Sequence, residues 1–85
     1  QKVSVFPNPL DESSSILLEN FGGQETSIDI INILGEKVCN IFDGAIQGDY
    51  FEINNLRSRI KKDGIYFVRA TSSSNKSFTK KIILN

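Results

Sequence analysis

The side chains able to do chemistry in this sequence are ten Lys/Arg, ten Asp/Glu, one cysteine and two serine runs, with no histidine. The lack of histidine removes the usual general base near neutral pH and the commonest metal ligand. A serine nucleophile would need a lysine or carboxylate partner, and Ser13-Ser14-Ser15 and Ser72-Ser73-Ser74 read as loop filler. Cys39 lies between Val38 and Asn40 in an apolar run. A reactive thiolate wants a helix N-terminus or an adjacent cation; neither is local, so Cys39 reads as a small buried or half-buried hydrophobe. Asp11-Glu12 and Asp63-Gly64 lack the ordered carboxylate spacing of a calcium loop. There is no glycine-rich phosphate loop. Aromatics interleaved with bases are too sparse for a single-strand nucleic-acid face. No catalytic residue, metal ligand or cofactor site is assigned, and no nucleic-acid partner is expected.

Net charge is zero, but its distribution is lopsided. Residues 1–50 hold Lys2 and Lys37 against eight carboxylates, a net of −6, and residues 51–85 hold eight bases against Glu52 and Asp63, a net of +6. Such asymmetry can mark an anionic partner. The favoured reading is that strands from the two halves interleave, so that opposite charges face each other and cancel.

These side chains must be positioned by a small fold. Eighty-five residues, 39% apolar, suffice for a single domain spanning residues 1–85 with one thin core. One cysteine excludes an internal disulfide. No run approaches the about 20 apolar residues of a membrane helix, and Gln1-Lys2-Val3 does not open a signal peptide.

Seven apolar runs alternate with turn residues. Lys2–Phe6 places Val3 and Val5 on one face and stops at Pro7-Asn8-Pro9, where proline geometry makes a rigid exit. Ser15–Glu19 places Ile16 and Leu18 together. Thr26–Ile33 switches parity near Ile31, the mark of a bulge or strand end. Leu34-Gly35-Glu36 is a tight connection with Gly35 at positive φ. Lys37–Phe42 is closed by Asp43-Gly44. Asp49–Asn54 turns Phe51 and Ile53 inward. Asn55–Asp63 reads as a polar connection ended by Gly64; a helical turn there would have only Leu56 and Ile60 to anchor it. In Ile65–Thr71, Tyr66 and Val68 oppose Ile65 and Phe67. In the final run Phe78, Ile82 and Leu84 share one parity and Lys81 and Ile83 the other. Most of the eight aromatics fall at inward-parity positions. Short strands at this spacing predict an all-β fold, an immunoglobulin-like antiparallel β-sandwich of about seven strands.

Four segments carry a family resemblance. Val5-Phe6-Pro7-Asn8-Pro9 is similar to an aromatic-Pro-Asn-Pro motif. Ile33-Leu34-Gly35-Glu36-Lys37-Val38 is similar to a Gly-Lys/Arg-x-Val hairpin, with Glu36 inserted. Gly64-Ile65-Tyr66-Phe67-Val68 is similar to a Gly-x-Tyr-x-Val strand, and Lys80-Lys81-Ile82-Ile83 to a basic-aliphatic tail. In order and spacing the chain resembles the type A C-terminal sorting domain of the bacterial type IX (Por) secretion system, found at the end of secreted Bacteroidota proteins.

The resemblance implies a non-catalytic signal fused to an N-terminal cargo. The cargo transits the periplasm, and the outer-membrane translocon recognises the folded domain. A sortase-type peptidase often removes it, leaving the cargo at the surface or released. Under this reading the chain ends with its signal. Lys80, Lys81, Ile82, Ile83 and Leu84 carry recognition, with Pro7, Asn8 and Pro9 as the opposite landmark. Gly35, Lys37, Val38, Gly64, Tyr66 and Val68 are structural motif positions. An exposed strand edge would supply main-chain hydrogen bonds to a partner, and also a route to weak homodimers. The alternative is a fibronectin-like accessory module binding glycan or a neighbouring domain; fold alone does not separate the two.

Overall fold

The computed structural model describes residues 1–85. Its strands are β1 (Lys2–Phe6), β2 (Ser15–Glu19), β3 (Glu25–Asn32), β4 (Lys37–Ala45), β5 (Tyr50–Ile53), β6 (Gly64–Ser72) and β7 (Ser77–Leu84). They form two antiparallel sheets, ordered β1-β2-β5 and β4-β3-β6-β7. The seven-stranded sandwich is the architecture expected from the strand spacing. In a constant-type immunoglobulin domain the fourth strand joins the first sheet; here β4 stays beside β3. The hairpin between them is held locally: the Asn32 Oδ1 accepts from the backbone amides of Leu34 and Glu36, both at 2.9 Å.

Fifteen buried residues form one core. The three-stranded sheet contributes Val3, Ile16, Leu18 and Ile53; the four-stranded sheet contributes Ile28, Ile30, Val68, Ala70, Ile82 and Leu84. Leu10, Phe21, Ile46, Leu56 and Ile60 come from connections and plug the gaps. Each large side chain so buried stabilises the fold by about 1.5–3 kcal/mol. Without a disulfide, this packing carries the domain.

The bulge or strand end expected near Ile31 is present, and other expectations are corrected. β3 ends at Asn32, and its pairing with β6 runs uninterrupted from Thr26 to Asn32. The register shifts lie in the β3–β4 pairing, where Ile41 and Val38 of β4 have no partner on β3. Ile31 therefore points away from the core, and is still buried by its neighbours on the outer face. β4 runs through Asp43-Gly44 to Ala45, because Gly44 tolerates a φ of 153° while pairing with Thr26. Residues Arg57–Arg59 form a 3-10 turn, and Leu56 and Ile60 suffice to anchor it at 0% and 3% exposure. The serines are not filler: buried Ser14 donates to the Pro7 carbonyl at 2.8 Å and accepts from the Asp11 amide at 2.9 Å. Phe6 and Tyr50 break the inward pattern of the aromatics, at 79% and 69% exposure.

Candidate functional site

The four segments singled out in the sequence converge on one end of the sandwich. Antiparallel neighbours alternate direction, so β3 ends where β4 and β6 begin and where β7 ends. Gly35-Glu36-Lys37, Gly64-Ile65-Tyr66 and Ile82-Ile83-Leu84 therefore share that end. The Pro7–Pro9 segment bends and lies along the outer edge of β7. There the Asn8 Nδ2 donates to the Lys81 carbonyl at 2.9 Å, and the Ile83 amide donates to Asn8 Oδ1 at 3.0 Å. The Leu10 amide donates to the Ile83 carbonyl at 2.8 Å. Pro-Asn-Pro is thus not an opposite landmark; it sits against the final strand.

This contact corrects the picture of a freely exposed edge. The amide and carbonyl of Ile83 both point away from β6, so by β-alternation Ser77, Thr79 and Lys81 present theirs on the same side. Asn8 and Leu10 occupy the groups at Lys81–Ile83, and the open edge is the stretch from Ser77 to the Lys81 amide.

The recognition candidates divide by face. Ile82 and Leu84 are 0% and 2% exposed and belong to the core. Ile83 is half-buried on the outer face, and Lys80, Lys81, Asn8 and Pro9 are exposed. Lys80 pairs with Val68 on the core-facing side but at the rim, where its ammonium reaches solvent. A lysine pointing inward on an edge strand also blocks pairing with another sheet.

The structural motif positions have separate jobs. Gly35 has φ 85° and Gly64 φ 146°, both in the region that favours glycine. Lys37 pairs with Asp29 at 3.7 Å. Val38 is one of the two β4 residues without a partner on β3, and is 44% exposed. Tyr66 packs against the core and donates its hydroxyl to the Lys62 carbonyl at 2.9 Å, while Val68 is fully buried. The inserted Glu36 accepts from the Asn32 Nδ2 at 2.9 Å, so it completes the hairpin.

The basic connection lies beside this end. Cys39, Arg59, Lys61, Lys62 and Tyr66 border one cleft, with the Cys39 thiol donating to the Arg59 carbonyl at 3.7 Å. Burial pushes the Cys39 thiol up, more than nearby Arg59 draws it down. It is accordingly a protonated packing group, not a thiolate. The two ion pairs, Lys37–Asp29 and Arg57–Asp63, each stay within one half of the chain. Interleaving sets Asp29 opposite Arg69 across β3 and β6, but no ion pair within 4.0 Å joins the two halves. Arg57 alone among the eight bases of residues 51–85 has a carboxylate within 4.0 Å.

The two serine–carboxylate hydrogen bonds, Ser13 to Asp11 at 2.7 Å and Ser15 to Glu52 at 3.1 Å, are solvent-exposed and involve none of the residues of this geometry. What it assembles is a surface built from distant segments, and comparison with known families says what such a surface belongs to. The profile of the secretion system C-terminal sorting domain matches residues 4–85. This chain belongs to the type IX C-terminal sorting domains. The sorting domain is also 32% identical over 82 residues to an endo-acting ulvan lyase of Formosa agariphila, covering 96% of this chain and 14% of that protein. The chain thus spans a small fraction of the curated relative it matches. Type IX sorting domains direct the export of an attached cargo to the cell surface or beyond; the family is one of signals, not catalysts. No helix of the sorting domain is long and apolar enough to cross a membrane.

Sequence reasoning missed Asn32, which organises the hairpin, and Leu10, which pairs with Ile83. Asn32 was findable as an Asx residue ahead of a glycine turn. Leu10 carried no local signal, since its partner lies on the last strand.

Proposed function

We propose that the sorting domain is of type A and acts as a self-contained unit, residues 1–85, read by the outer-membrane translocon while its cargo waits in the periplasm. Lys80, Lys81 and Ile83 make the contact, together with Pro7, Asn8 and Pro9. Ile82 and Leu84 act indirectly, by seating the strand. A sortase-type peptidase cuts ahead of β1, and the cargo stays at the surface or is released. The observation that carries this reading is the Asn8 clasp on Lys81 and Ile83, which joins two distant motifs into one surface.

The test is a reporter fused ahead of Gln1 in a bacterium with type IX secretion. Deleting Lys81–Asn85 is uninformative, because it takes Ile82 and Leu84 from the core. Lys80→Glu and Lys81→Glu leave the core intact. The expected result is reporter retained in the periplasm, with thermal unfolding unchanged. Wild-type export from the double variant refutes the assignment of the contact.

A further inference from the structure

The outer face of the four-stranded sheet is apolar where it should be wet. One face of an antiparallel sheet ordinarily packs on the core and the other carries polar residues. Here the cross-strand registers align Ile65 with Ile83 in one row. The next row runs across all four strands as Lys37, Ile31, Phe67 and Lys81. Ile33 follows the Asn32–Tyr66 pair and shares a shallow depression with Ile31, Phe67 and Arg69. Ile33, Leu34 and Ile65 are 70%, 79% and 43% exposed. Contiguous apolar surface with a charged border marks a docking site.

The border is basic. Lys37 and Lys81 close the two ends of the Ile31–Phe67 row, and Arg69 stands in the next row opposite Asp29. The acids nearby are already engaged: Asp29 accepts from Asn40 at 2.9 Å and faces Lys37, and Glu36 is bound by Asn32. Lys81 and Arg69 have no carboxylate within 4.0 Å.

We propose that this face docks a protein partner whose contact surface is apolar and rimmed by carboxylates. The partner's apolar centre covers Ile33, Ile65, Phe67 and Ile83, and its acids meet Lys81 and Arg69, the cations of the border that have no ion pair. The proposal rests on the sorting reading and extends the contact from the β7 edge across the sheet. Charge decides the occupant. A second copy docked by two-fold symmetry would set this basic border against itself. A cargo attached before Gln1 enters from elsewhere: Asn8 and Leu10 run alongside Lys81 and Ile83, so Lys2 lies toward the opposite end.

The experiment uses the same reporter fusion with Ile65→Asp, Ile65→Lys and Ile33→Asp. Tyr50→Asp, exposed on the other sheet, is the control. Burying a repelled charge at a contact centre lowers export about tenfold or more. Ile65→Asp and Ile33→Asp are expected to fall that far at unchanged melting temperature. Ile65→Lys should retain several-fold more export, since its ammonium faces carboxylates, and Tyr50→Asp should export normally. Wild-type export from both aspartate variants overturns the proposal, as does an equal loss from Ile65→Asp and Ile65→Lys. A concentration-dependent dimer of the fusion, abolished by Ile65→Asp, overturns it in favour of a second copy. Removing residues 1–85 entirely separates the two claims: export that survives this deletion refutes the sorting reading itself.

Discussion

Asn8 holds Ile83 as a neighbouring strand would, although 75 residues separate them: one amide side chain accepts from the Ile83 N–H and donates to the Lys81 carbonyl. The contact closes the last stretch of an otherwise open edge. Asn8→Ala removes both hydrogen bonds at an exposed site, where water replaces part of the loss. The expected destabilisation is about 1–2 kcal/mol, or several degrees in melting temperature for a domain of this size. Hydrogen exchange at the Ile83 amide should accelerate while exchange in β3 stays slow.

Phe21 is fully buried and meets Phe78 edge-on, with centroids 5.4 Å apart and planes at 73°. Phe21→Ala should cost about 3–5 kcal/mol, a large share of the 5–15 kcal/mol typical of a whole domain. Phe78 is half-buried and should cost less. Urea unfolding of both single variants and the double variant gives the coupling, expected near 1 kcal/mol.

Gly22 lies under the backbone of Gly48: a Cβ there would stand 2.6 Å from the Gly48 carbonyl oxygen. A backbone atom cannot swing aside as a flexible side chain can. Gly22→Ala should therefore destabilise by about 1–3 kcal/mol, visible as a lower urea midpoint.

The raised Cys39 pKa predicts a pH signature. The folded state holds the thiol proton more tightly, so the stability it contributes is complete below the unfolded value of 9.0 and is lost as pH rises past it. Alkylation at pH 8 should be slower in the folded domain than in urea. Stability should fall more steeply above pH 9 in the wild type than in Cys39→Ala.

Deletion of Lys81–Asn85 removes Ile82 and Leu84, which are 0% and 2% exposed. Each is worth about 2–5 kcal/mol by the usual core truncations. The shortened chain should lose its cooperative thermal transition, as followed by circular dichroism. A loss of export in that variant would report unfolding, not recognition.

Much of this was legible locally. Period-two alternation located all seven strands, because a pleated backbone sends successive side chains to opposite faces. Phe78, Ile82 and Leu84 were assigned to the core on parity alone. The parity change near Ile31 marked an irregularity, and the structure places the unpaired residues, Ile41 and Val38, on β4: an irregularity of pairing is shared by two strands, and the sequence of one does not say which strand carries it. The sequence offers a helical turn at Arg57–Arg59 only two anchors, Leu56 and Ile60; both are buried in the core, where residues distant in the chain surround them.

For function the division follows the range of the forces involved. Composition excluded histidine chemistry and disulfides, alternation determined the class of fold, and the motifs indicated the family; each depends on residue type or on neighbours a few positions apart. That Pro7–Pro9 lies against Lys81–Ile83, that β4 turns back beside β3, and that Ile33, Ile65, Phe67 and Ile83 form one basic-rimmed face were decided by the tertiary structure. Those contacts join residues far apart in the chain, and sheet register and packing, not local preference, choose their partners.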